Sequence, residues 1–125
     1  MDPRRQQGQA TVEIALALPV LALLLAAVVQ VGIVVADQAR LWHAAREAAR
    51  VAVVSADPRE IRAAAEEGGL SGVEVSIDPE PAYRVQGEPL TVVLTYHPQG
   101  HVPLLGSLVE RIELKARATM RIENP

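Results

Sequence analysis

The sequence predicts an α+β fold: a long N-terminal helix, membrane-spanning in its first half, packed on a small three-stranded antiparallel sheet. Three observations carry that prediction. Ile14 through Ala36 is a run of 23 residues without a charged side chain. A helical stripe rich in alanine continues past it, from Leu41 to Ala52. Near the other end, apolar and polar residues alternate from Ile112 to Glu123, the period of a strand with one buried face.

The apolar run comes first in the chain. In a helix rising about 1.5 Å per residue it is roughly 34 Å long, enough to cross a bilayer with slight tilt. Pro19 and Gln30 are its only evident interruptions. Pro19 is expected to kink the helix and free a backbone carbonyl. Ala22 and Ala26, and likewise Gly32 and Ala36, have the small-xxx-small spacing that permits close helix contact in lipid. Beyond the run the helical pattern persists from Asp37 to Val54. Leu41, Ala44, Ala45, Ala48, Val51 and Ala52 fall on one face, and Arg40, His43, Glu47 and Arg50 on the other. One continuous helix is expected, half in lipid and half outside.

Asp57-Pro58-Arg59-Glu60 opens a short second helix, with Asp57 as cap, Pro58 in the first turn and Glu60 closing a capping box. Gly68-Gly69 ends it. Three strands follow. Val73, Val75 and Ile77 form the first, stopped by Asp78-Pro79; Leu90, Val92, Leu94 and Tyr96 form the second, between Pro89 and Pro98. Ile112, Leu114, Ala116, Ala118, Met120 and Ile122 form the third. So small a sheet cannot bury enough apolar area alone, and the alanine stripe is its expected cover. The linker HPQGHVPLLGSLVE carries Val102, Leu104, Leu105, Leu108 and Val109. These residues either cap the open end of the sheet core or form an exposed patch for a partner.

Composition narrows the function. With 125 residues there is room for one small domain and an anchor. The absence of cysteine excludes disulfides, Cys-ligated zinc and a thiol nucleophile. A formal charge of −3, with Trp42, Tyr83 and Tyr96 as the only aromatic residues, leaves neither the basic stripe nor the stacking rings that nucleic acid requires. His43, His97 and His101 are the only histidines, and Pro98 and Gly100 place the last two on a loop rather than on one helix face. Ser71 and Ser107 have no base nearby in sequence; Glu66, Glu67, Glu80 and Glu88 read as solvated charges. No Gly-rich phosphate loop follows a strand. The sequence reads as a non-enzyme with no cofactor and no metal.

The residue that calls for an explanation is Glu13, a carboxylate at the threshold of the apolar run. At mid-membrane such a group costs about 2.5–3.5 kcal/mol on insertion scales, and less near the edge. Either it rests inertly among headgroups or it meets a positive partner in the membrane. Arg4 and Arg5 precede the run, while Arg40, Arg46 and Arg50 follow it, so charge counting does not orient the helix.

The spacing suggests more. Basic residues, then Gly8, then Gln9-Ala10-Thr11-Val12, then Glu13 and an apolar helix resemble the type III signal of type IV prepilins. More narrowly, GQATVEIALALPVLALLLAAVVQVG followed by ARLWHAAREAARVAVV, with the terminal strand KARATMRIE, is similar to TadE-like proteins, minor pseudopilins of the tight-adherence pilus system. The resemblance implies a pilin-like lollipop and a prepilin peptidase that cuts between Gly8 and Gln9. It implies that Glu13 meets the N-terminal amine of a neighbouring subunit, as a close pair in low dielectric. Residues 1–8 would be a leader, 9–36 the transmembrane half of the helix and 37–125 an extracytoplasmic domain. The partners implied are the peptidase, other pilins or pseudopilins, the pilus assembly platform and the lipid bilayer. The protein would sit in the cell membrane, N-terminus cytoplasmic, or enter the extracellular pilus. The alternative is a signal-anchored or secreted binding domain unrelated to pili, left uncut or cut near Ala36.

Overall fold

Helix α1, Pro3–Ala52, is 50 residues long and runs past Pro19 without a break. At about 1.5 Å per residue it extends roughly 75 Å. The structure, a computed structural model, describes residues 3–101 and 103–125. Residues 3–25 of α1 are exposed around the whole circumference. Burial begins at the half-buried Ala26 and Ala27, and Gln30 is the first fully covered residue.

The outer half of α1 packs as its pattern requires. Leu41, Ala44, Ala45, Ala48 and Ala52 are all buried. Ala49, outside the expected face, is buried as well, and Val51 is only half-buried. The difference arises because the sheet and the second helix both pack on α1, and together they cover a broader arc than the stripe alone defines. Helix α2, Pro58–Glu66, buries Ile61, Ala64 and Ala65, one face at helical spacing. Asp57 caps it, Oδ1 accepting from the Arg59 N–H at 2.9 Å. The expected capping box does not form: the Asp57 N–H donates to Ser55 Oγ at 3.2 Å, so Ser55 fills the role assigned to Glu60. Gly69, with φ +83°, makes the left-handed exit that glycine adopts without steric cost.

The sheet is an antiparallel meander, β1 (Glu74–Asp78), β2 (Pro89–Tyr96) and β3 (Leu114–Arg121), in that spatial order. Register places like with like. Val75 and Ile77 stand opposite Leu94 and Val92; Leu90, Val92, Leu94 and Tyr96 stand opposite Met120, Ala118, Ala116 and Leu114. All of these lie on the face toward α1, where Leu90, Val92 and Leu94 are fully buried. On the outer face the Thr91 and Thr119 hydroxyls pair at 2.9 Å. β3 begins two residues later than the alternation suggests. Ile112 belongs to a turn, its N–H donating to Val109 O, and it stays 42% exposed.

Two short elements lie where the sequence reads as linker: a 3₁₀ turn, Pro81–Tyr83, and the one-turn helix α3, Gly106–Val109. The first delivers Arg84 to the end of α1. Its Nη1 donates to Ala52 O at 2.9 Å, a carbonyl that the helix leaves unpaired, and to Ser55 O at 3.2 Å just beyond it. Arg84 is only 7% exposed, and burial lowers its pKa from the ordinary arginine value. Val53 O then accepts from the Glu123 and Asn124 N–H groups. The end of α1 is thus tied to both the 3₁₀ turn and the residues that follow β3.

Two expectations follow. Leu114→Asp or Ile122→Asp puts a charge into the interface with α1 and should cost on the order of 4 kcal/mol. Arg121→Asp, on the exposed face, should stay within about 0.5 kcal/mol of the parent. Thermal denaturation of the full chain in detergent measures both, and equal sensitivity would contradict the assigned faces. Arg84→Ala leaves the Ala52 and Ser55 carbonyls without their charged donor and should cost about 2 kcal/mol. Hydrogen exchange should then quicken first in the last turn of α1.

Candidate functional site

The segment that carries Gly8, Gln9 and Glu13 is the exposed foot of α1. A Cβ built on Gly8 meets nothing within 4 Å, so no packing demands glycine there. Thr11 Oγ1 donates back to Gln7 O at 2.9 Å, bridging the Gly8–Gln9 peptide bond. Any enzyme that needs this bond in an extended conformation must open that bridge and the helical turn around it. Glycine makes opening easier, since it is about 1 kcal/mol worse than alanine within a helix.

Glu13 is exposed and has no ion-pair partner among the described residues. It stands four residues beyond Gln9, which puts both on one helix face with Cβ atoms about 5–6 Å apart. Helical side chains lean toward the N-terminus, so the carboxylate is directed at the turn that begins with Gln9. If the chain started at Gln9, its amine and the first free N–H groups would form the positive end of the helix dipole next to this carboxylate.

The residues considered as a partner patch divide. Val109 is buried, while Leu105 is half-buried. Leu104 and Leu108 point outward, 81% and 60% exposed. Val102 lies outside the described residues.

His97 Nε2 lies 3.6 Å from Glu113 Oε2, and Lys115 Nζ 2.8 Å from Glu113 Oε1. The hydrogen bond and charge of Lys115, with a smaller contribution from His97, hold the Glu113 carboxyl below its usual range. This is a solvated surface cluster. His101 stands apart from it in role, since its backbone N–H donates to Gln30 Oε1 at 3.3 Å. No group of three His, Cys, Asp or Glu side chains among the described residues is arranged to hold a metal ion.

Sequence reasoning missed three residues that the fold uses. Gln30 was visible as a polar interruption of the apolar run, but its partner was not. Asp37 is buried beside Arg40, with Arg40 Nη1 to Asp37 Oδ1 at 3.4 Å. Tyr96 lies nearby, its pKa raised by burial and then by the charge of Asp37. Arg84 carried no signal, because its role depends on where α1 ends.

Among the described residues α1 is the one helix long and apolar enough to cross a membrane. Comparison with curated proteins and with solved structures returned no match. Residues 8–50 match the family model described as TadE-like protein, a stretch that opens on Gly8 and Gln9, includes Glu13 and ends on the alanine stripe. Over this N-terminal segment, about a third of its length, the chain is similar to TadE-like proteins.

Proposed function

We propose that this protein is a minor pseudopilin of a tight-adherence pilus, cut by a prepilin peptidase after Gly8 and acting in pilus assembly without enzymatic activity of its own. The carrying observation is the spacing Gly8-x₄-Glu13 on an unobstructed helix that is apolar for the next 23 residues. The foot of α1 serves two successive purposes in this reading. Before the cut it offers the peptidase a helix with a weak helix-former immediately before the scissile bond. After the cut it offers neighbouring subunits an amine, unpaired N–H groups and a carboxylate.

A single carboxylate in a low-dielectric layer is unfavourable alone and favourable when paired. Glu13 therefore serves association better than anchoring. The exposed circumference of residues 9–25 leaves room for other helices on any side. The partners on this reading are the peptidase, other pilins or pseudopilins, the assembly platform and the bilayer. The C-terminal domain stands outside the cell membrane with the N-terminus in the cytoplasm.

Processing is read first. Co-expression with a prepilin peptidase should yield a mature chain that begins at Gln9, identified by intact mass. Gly8→Ala should slow the cut, and Gly8→Val should block it. Neither should alter the fold, because a Cβ at position 8 has open space. A mature chain that retains Met1, or begins at Asp37, would replace this reading with that of an anchored or secreted domain.

Association is read second. Glu13→Gln keeps the shape and removes the charge, so insertion and cleavage should persist. Pairing in the membrane should weaken by more than roughly tenfold, as a loss of about 2 kcal/mol implies. Crosslinking of the processed protein to itself and to the major pilin measures this. Equal crosslinking would leave Glu13 with no role in association.

A further inference from the structure

The loop between β2 and β3 does not stay beside the sheet. At the sheet's lower edge Tyr96 pairs with Leu114, and Gln38 Nε2 donates to Lys115 O at 3.1 Å, which sets that edge at the level of residues 37–40 on α1. From there the loop reaches His101, whose N–H meets Gln30. Gln30 lies seven residues below Asp37, so the loop descends roughly 10 Å along the helix. It thus enters the level of the apolar run itself.

This changes where a bilayer fits. Gln30 is 2% exposed and bonded to the loop, so on that side protein already covers the helix from about Ala26 upward. A hydrocarbon layer about 30 Å thick takes roughly 20 residues of helix. Counted back from Val29, they reach Ala10, all on the part of α1 that is exposed around nearly its whole circumference. The loop then stands at the upper boundary of the layer, not far above it.

The exposed part of the loop suits that position. From Pro103 to Val109 there is no charged residue, and Leu104 and Leu108 project outward. Leu104 is, among the described residues, the one non-glycine at positive φ, +70°. Leucine adopts that conformation only when its surroundings impose it. The constraint is visible at the base of the loop, where the backbones of Gly100 and Gly106 touch so closely that a Cβ on Gly100 would fall on Gly106. A loop closed by two glycines thus holds a strained leucine outward.

We propose that Leu104 and Leu108 insert into the extracytoplasmic interface of the bilayer, so that this loop seats the domain on the lipid surface beside α1. The proposal rests on α1 spanning a bilayer and is independent of the pilus. A lipid occupant is favoured over a protein one because the patch is uncharged and belongs to the loop that His101 ties to Gln30, within the apolar run of α1.

The chain has no cysteine, so single labels can be placed at will. Leu21→Cys, Leu104→Cys, Leu108→Cys and Arg121→Cys, all at exposed positions, would each carry an environment-sensitive NBD fluorophore. The full-length protein would be reconstituted at low density in phosphatidylcholine–phosphatidylglycerol vesicles. Labels at 21, 104 and 108 should emit to the blue. Those at 104 and 108 should be quenched by nitroxides placed high in the acyl chain, and the label at 121 should report water. Water-like emission at 104 and 108 with a lipid-buried label at 21 would overturn the proposal and leave the spanning helix intact. Blue emission at 104 and 108 that lipid nitroxides do not quench would mean a protein occupant, such as a second copy, and would also overturn it. A water-exposed label at 21 would remove the spanning helix and the proposal together.

Discussion

The contact on which the rest of this structure depends is the alanine face of α1 against the sheet. A three-stranded meander cannot stand alone in water, because its apolar face has nothing to cover it. The buried alanines from Ala44 to Ala52 let the sheet and α2 approach the helix backbone closely, and Leu90, Val92 and Leu94 supply the bulk on the sheet side. Small against large fills the space at interior density without a second layer of side chains. A larger residue at any of these alanines would push the two elements apart.

Apolar contact is not directional, so it does not by itself set how far along α1 the sheet sits. Hydrogen bonds at the two ends do that. At the top, Arg84 takes the Ala52 carbonyl, and the Glu123 and Asn124 N–H groups take that of Val53, just beyond α1. Lower down, Gln38 reaches Lys115 and Gln30 reaches His101. Arg84 and Gln30 are buried, so sliding the helix by one turn would leave polar groups at both levels without their partners. The single register that results determines which part of α1 is free for a membrane.

That register gives the TadE-like segment its division of labour. Residues 3–25 are exposed and carry Gly8, Gln9 and Glu13, while residues from about 30 onward belong to the domain. On the proposed function, the chemistry of cleavage and pairing lies at one end of a roughly 75 Å helix and the folded domain at the other. Changes at the foot should therefore leave the domain's stability alone, because residues 3–25 are exposed and the buried core lies farther along the chain. A rigid helix can still pass orientation from one end to the other, and the loop at Gln30 is where that orientation would be held.

Most of the architecture was legible in the sequence. Alternation at period two revealed the three strands, the apolar run and alanine stripe revealed one continuous helix, and Asp57-Pro58 marked the second. These are local patterns, dictated by backbone geometry and by which face must leave water. The Gly8-x₄-Glu13 spacing was legible for the same reason, since it lies within one helical segment. What only the tertiary structure decided depends on contacts between distant parts of the chain. Ser55 in place of Glu60 at the α2 cap, Arg84 at the end of α1, and Gln30 beneath His101 each follow from where two separate elements meet. The linker shows the division within a single segment. Its leucines announced apolar surface, but whether each one faced the core or the outside was settled by the Gly100–Gly106 closure and the turn of α3, which bury Val109 and leave Leu104 and Leu108 exposed. Composition fixes how much apolar surface a segment has, whereas the direction it faces is set by the backbone path that the rest of the fold imposes.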